Sequence, residues 1–125
     1  MVTLGERGQS TVEFALCLPF VALLVAVLVQ IGFLSVDTTR VWHAAREAAR
    51  VAAVDGDPSA IRDAAEGAGL SPLEIEVDPG PSDRAQGTPV VVTVRHLRSI
   101  EIPVLGSLVP DLPLSAKVAM RIETP

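Results

Sequence analysis

Few side chains in this sequence are equipped for bond-making chemistry. It has two histidines, His43 and His96, a single cysteine, Cys17, and neither tyrosine nor asparagine. There is no second cysteine for a metal pair, no phosphate-cradling glycine loop and no H-E-x-x-H pattern. His43 reads as a solvated helix residue and His96 as a strand-end residue, while the acids are scattered along helix and strand surfaces. No catalytic, cofactor-binding or metal-ligating residue is expected, and the chain is read as a non-enzyme. One short stretch stands apart. Gly8 leaves its backbone accessible because it carries no side chain, and five residues on Glu13 borders a run from Phe14 to Val36 without a charge. A carboxylate at such a border costs roughly 2.5 to 3.5 kcal/mol on insertion scales, so these groups usually have a function and a partner.

The element that must position Glu13 is the apolar run itself. At ~1.5 Å rise per residue its length as a helix crosses a ~30 Å hydrocarbon core. If the chain is cut after Gly8, Gln9 acquires a new α-ammonium and Glu13 falls in the first helical turn. There the helix dipole favours its carboxylate, and the ammonium of a neighbouring copy or related subunit can pair with it. The plainer alternative is that Glu13 is only the last interfacial residue before an ordinary anchor.

Arg7-Gly8-Gln9-Ser10-Thr11-Val12-Glu13-Phe14-Ala15-Leu16, followed by Leu18-Pro19 and an aliphatic run, resembles the TadE-like family. These are minor pilins, or pseudopilins, of the tight-adherence (Flp-type) pilus system, a branch of the type IV pilus superfamily. The resemblance spans about residues 7 to 36 and is only general beyond. It implies residues 1–8 as a prepilin leader, cleavage by a prepilin peptidase between Gly8 and Gln9, and Glu13 as the acidic fifth position of the mature chain. Phe14 matches the aromatic that follows this acid in tight-adherence prepilins. Gln9 stands where ordinary type IV pilins have a methylated Phe, so N-methylation is not expected. Other pilin-like subunits and the assembly machinery are the implied partners.

A secretory signal fits poorly, because such signals have a ~7 to 15 residue core and a small-x-small cut site. This core is longer, and Phe33-Leu34-Ser35-Val36 offers no such site. Arg7 and the initial amine on the short side favour a cytoplasmic N-terminus and place the bulk of the chain outside. Within the run, Pro19 removes a backbone donor and predicts a kink or loosening. Cys17 reads as a small packing residue, with an intermolecular bridge or lipidation as alternatives. Gln30 and Gly32 mark either the interface or a close helix contact, and the favoured reading of Gln30 is snorkelling to the headgroups.

The length allows one small domain besides the membrane helix, with boundaries expected at 9–36 and 37–125. All the Lys and Arg but Arg7, and all the Asp and Glu but Glu6 and Glu13, follow Val36, leaving 9 bases against 13 acids there. A mildly acidic domain is not expected to bind nucleic acid. From Asp37 to Val54 the residues Val41, Ala45, Ala48 and Ala52 recur at helical spacing, with Arg40, His43, Glu47 and Arg50 opposite. The helix therefore continues past the membrane and stops at Asp55-Gly56. Asp57-Pro58 opens a second helix whose buried side is Ile61, Ala64, Ala65 and Ala68, ending over Gly67 to Gly69.

Three strands are predicted: 73–77, Pro89 to His96, and Leu114 to Glu123, the last with Leu114, Ala116, Val118, Met120 and Ile122 on one face. Period two with one apolar face implies an antiparallel sheet covered on one side, the cover being the alanine face of the long helix. On the open face Glu74 and Glu76 are placed to meet Arg95, Lys117 or Arg121. Between strands, 78–87 is a polar hairpin loop. Residues 97–113 carry Ile100, Ile102, Val104, Leu105, Leu108 and Val109, and either close over the core, the favoured reading, or present an apolar surface. The expected fold is thus α+β: a long N-terminal transmembrane and amphipathic helix packed on a small three-stranded antiparallel sheet, an arrangement that resembles pilins. Two functions fit it. One is a minor pilin that is a peptidase substrate and assembles through its helix; the other is an uncleaved single-pass anchor displaying a small extracytoplasmic binding domain.

Overall fold

Alanine recurs so densely between residues 44 and 53 that the helix carrying it can approach another layer closely. In the computed structural model, which describes residues 5–103 and 106–123 and side chains from residue 8 onward, this helix is α1, Gly5–Val54. It is continuous across Pro19 and across the membrane boundary expected at Val36. Met1 to Leu4 of the expected leader, the Arg7 side chain, and Val104 and Leu105 of the expected loop lie outside the described residues.

After a turn at Asp55-Gly56, α2 (Pro58–Glu66) packs back on α1. Asp57 caps it as the sequence predicts: its Oδ1 accepts from the Ser59 N–H at 3.1 Å and its Oδ2 from the Ser59 hydroxyl at 2.7 Å. The hydroxyl, then the backbone N–H, hold the Asp57 carboxyl below its ordinary value. Ile61 and Ala65 are its buried residues, with Ala64 and Ala68 half-buried beside them. The chain then turns through Gly69, whose φ of +79° is left-handed backbone that glycine adopts without strain.

The sheet follows in sequence order, β1 (Glu74–Asp78), β2 (Pro89–Arg98) and β3 (Leu112–Arg121), all antiparallel to their neighbours. Register runs from Glu74 opposite Arg95 to Asp78 opposite Val91, and from Pro89 opposite Arg121 to Arg98 opposite Leu112. β2 thus reaches two residues beyond the predicted His96, and β3 starts two before Leu114, because the two strands keep pairing into the loop between them.

Alternation decides the faces. Val90, Val92 and Val94 from β2 and Leu114, Ala116 and Ile122 from β3 and its extension are buried against Val41, Ala44, Ala45, Ala48, Ala49, Ala52 and Ala53 of α1. The seam is broader than the predicted one-in-four set, since two adjacent alanine columns enter it. Burial of apolar surface at ~25 cal/mol per Å² is what holds these layers together. On the open face Arg95 sits between Glu74 and Glu76, at 4.0 and 3.5 Å, whereas Lys117 and Arg121 do not join them.

The 97–113 segment does not close over the core. Ile100 and Ile102 are half-buried and line a cleft with Val27, Gln30, Ile31 and Leu34 of α1, while Leu97, Leu108 and Val109 are exposed. The core is already sealed by α1, so the segment leans on the helix nearer its apolar half.

Candidate functional site

The border residues singled out by the sequence all lie on the first turns of α1. Gly8, Gln9, Glu13 and Phe14 are helical and exposed. Gly8 and Gln9 are therefore inside the helix rather than at its edge. A side chain added at Gly8 meets nothing within 4 Å, so its surroundings are open. Gln9 Nε2 donates to Glu13 Oε1 at 3.1 Å, one turn on, which gives the carboxylate a neutral local partner. Gln9 and Glu13 are thus brought together; no contact joins Gly8 to Phe14 among the described residues.

Beyond this border α1 is long and apolar enough to cross a membrane by length and composition, and its most apolar window has no part buried in the fold. Residues 14–36 span about 35 Å as a helix. Phe14, Leu16 and Phe20 project freely, Phe20 with 74% of its surface accessible. Only Ala26, Val27, Gln30 and Leu34 are half-buried, and they share the face turned to the 97–113 segment. An apolar patch of this extent on a monomer marks contact with lipid or with another protein. Cys17 sits in it, exposed and with a free thiol.

A second border, which sequence reasoning missed, closes the apolar half at its far end. Asp37 is the first charge after Glu13, and the fold buries it. Its carboxylate receives the Arg98 guanidinium from the end of β2, with Arg40 at 3.8 Å on the helix itself. Arg98 also lies over the Phe33 ring, 5.6 Å from its centroid, a cation–π arrangement. Two turns before Asp37 on the same side, Gln30 Nε2 donates to the Glu101 carbonyl at 2.6 Å. Gln30 therefore fastens the loop to the helix instead of snorkelling. The available signal was an acid at helix spacing beside an alanine seam, which demands a cation from elsewhere in the chain.

The two histidines are apart. His43 is exposed on the polar side of α1, and His96 Nδ1 lies 3.0 Å from the Pro72 carbonyl, tying the strand end to the segment before β1. Among the described residues no group of three or more His, Cys, Asp or Glu is placed to hold a metal ion.

A family model described as TadE-like protein matches residues 8–50, the stretch that holds the exposed acid, the bare apolar half and the start of the alanine seam. Over these residues the chain is similar to that family. No curated protein and no solved structure gives a significant match. The TadE-like segment covers Gly8, Glu13, the apolar half and most of the alanine seam, and ends before α2 and the sheet. The family likeness thus lies in the helix and does not extend to the sheet domain.

Proposed function

We propose that this chain is a minor pilin, or pseudopilin, of a tight-adherence (Flp-type) pilus machinery. Its role is structural: it is held in the membrane by α1, with the N-terminus cytoplasmic and the sheet domain extracytoplasmic, until it joins other pilin-like subunits. A prepilin peptidase removes residues 1–8 between Gly8 and Gln9. The observation that carries this reading is the bare apolar half of α1, bordered by Glu13 and continuous with the helix that builds the core. A helix so arranged leaves most of its apolar surface without a partner in its own fold and has a folded domain to present.

Cleavage changes the partner of Glu13. In the uncut chain the Gln9 amide meets the carboxylate at 3.1 Å. Once cut, Gln9 bears an ammonium, and in a low-dielectric surrounding its pairing with the acid of an adjacent spine outweighs a neutral hydrogen bond. Phe14, next to the acid and exposed, supplies apolar surface to the same contact.

The test is the N-terminus of the protein purified from membranes. Mass spectrometry is expected to find Gln9 first in cells with a prepilin peptidase and the uncut chain in cells without it. An uncut chain in both sinks the reading and leaves a single-pass anchor displaying a small domain.

A further inference from the structure

The sheet has two open edges of opposite charge. β1 and β3 each run antiparallel to β2, so they run parallel to each other. Ladder parity decides which backbone groups face outward. Ile122 N–H donates to the Thr88 carbonyl and its carbonyl accepts from the Gly87 N–H, both at 2.9 Å, so the even-numbered residues of β3 turn their backbone toward β2. Ser115, Lys117, Ala119 and Arg121 turn theirs outward, and Pro113, lacking an N–H, falls on the same outward side. By the same parity Glu74, Glu76 and Asp78 bond to β2, and Ile75 and Val77 face outward. No described residue bonds to these outward groups across either edge.

The side chains along these edges match in sign and spacing. On the open face β1 carries Glu74, Glu76 and Asp78, of which Arg95 meets only the first two. β3 carries Lys117 and Arg121 on the same face, and among the described residues neither they nor Asp78 form an ion pair. Residues directly opposite in a parallel pair share a face. Glu74 placed against Lys117 therefore sets Asp78 against Arg121, since both pairs are four residues apart. On the inner face the same register sets Ile75 against Val118 and Val77 against Met120, all four of them only partly buried in the single chain. Like edges, by contrast, would bring like charges together.

We propose that these edges join copies of this chain: β3 of one copy lies in parallel beside β1 of the next, and the sheet continues from molecule to molecule. The contact is heterologous, so it leaves a free edge at each end and extends into a row. Spines that share one membrane hold the copies the same way up, as a parallel pairing requires. The inference rests on α1 lying in the membrane and is independent of cleavage at Gly8.

The test uses the full chain with Cys17→Ser, reconstituted in phosphatidylcholine vesicles as two single-cysteine proteins, Glu76→Cys and Ala119→Cys. These positions face each other in the proposed register. Within one chain they are separated by β2, roughly 10 Å, beyond the ~7 Å reach of a disulfide. Mild oxidation of the mixture is expected to yield a mixed dimer well above that of either protein alone. Ser115→Cys in place of Ala119→Cys, about 13 Å along the strand, is expected to give at least fivefold less. Equal yields at both positions, or no excess in the mixture, overturn the proposal. Adding Arg121→Asp to the Ala119→Cys protein is expected to lower the yield about two- to fivefold, the scale of an exposed pair. Adding Asp78→Arg to its partner restores it. With thermal unfolding by circular dichroism unchanged in both proteins, failure of that restoration also overturns the proposal.

Discussion

The pair formed by Asp37 and Arg98 is the place where a single charge change has the largest consequence for the coupling of helix to sheet. Asp37 has 5% of its side chain accessible and Arg98 29%, so the two partners are not equivalent. Replacing Arg98 by Met keeps an apolar stem over Phe33 but strands the carboxylate, leaving only Arg40 at 3.8 Å on its half-exposed side. Breaking a buried pair by removing one partner costs about 3 to 5 kcal/mol, and the remaining Arg40 moves the expectation to about 3 kcal/mol. Asp37→Asn leaves an acceptor for Arg98, whose guanidinium also reaches water, and is expected to cost about 1 kcal/mol. The double variant removes both charges and is expected to be more stable than Arg98→Met alone by about 1 to 2 kcal/mol. The assay is thermal unfolding of the full chain in detergent micelles, followed by circular dichroism of the sheet domain. At roughly 4 to 8 °C per kcal/mol for a domain of this size class, Arg98→Met lowers Tm by about 12 °C or more. Costs that simply add in the double variant, or a larger loss for Asp37→Asn than for Arg98→Met, would refute the reasoning.

The remaining expectations concern the seam, the cap and the border. Ala48→Leu forces a larger side chain into a fully buried position between α1 and the layers it packs on, and is expected to cost about 1 to 3 kcal/mol. The neighbouring exposed Glu47→Leu is expected to change stability by less than about 0.5 kcal/mol, and equal effects in urea unfolding would show that the seam is not tight. Asp57→Ala is expected to fray the first turn of α2, read as faster exchange of the Ser59 amide. Because the folded Asp57 carboxyl titrates below its unfolded value, its contribution is complete above about pH 4 and is lost as pH falls through the folded value; exchange protection that instead falls on raising the pH contradicts the cap. Glu13→Ala is expected to leave cleavage intact yet impair incorporation, and normal pilus assembly by that variant contradicts the role given to the acid. Gly8→Leu is expected to block processing, seen as persistence of the slower-migrating precursor on a gel.

Sequence alone determined the features that depend on neighbours along the chain. A charge-free run of fixed length, an acid at its lip, alanines at helical spacing, the Asp57 cap and three alternating strands are local patterns. Local patterns specify helices, strands and which side of each is apolar, because period 3.6 and period 2 follow from backbone geometry alone. The α+β architecture and the helix-on-sheet cover were legible for that reason, and so was the acidic border at Glu13. Tertiary structure decided what depends on the path between distant residues. Arg98 meets Asp37 across 61 positions and Gln30 meets Glu101 across 71, and no periodicity encodes such a meeting. The same holds for the loop after β2, where Ile100 and Ile102 turned to the helix because the core was already sealed. It holds too for the sheet edges, where the spacing of Glu74 and Asp78 matches that of Lys117 and Arg121 only once the strand order makes those two edges the outer ones. Composition sets how much apolar surface must be covered, whereas the route of the backbone chooses which surface covers it and which is left bare.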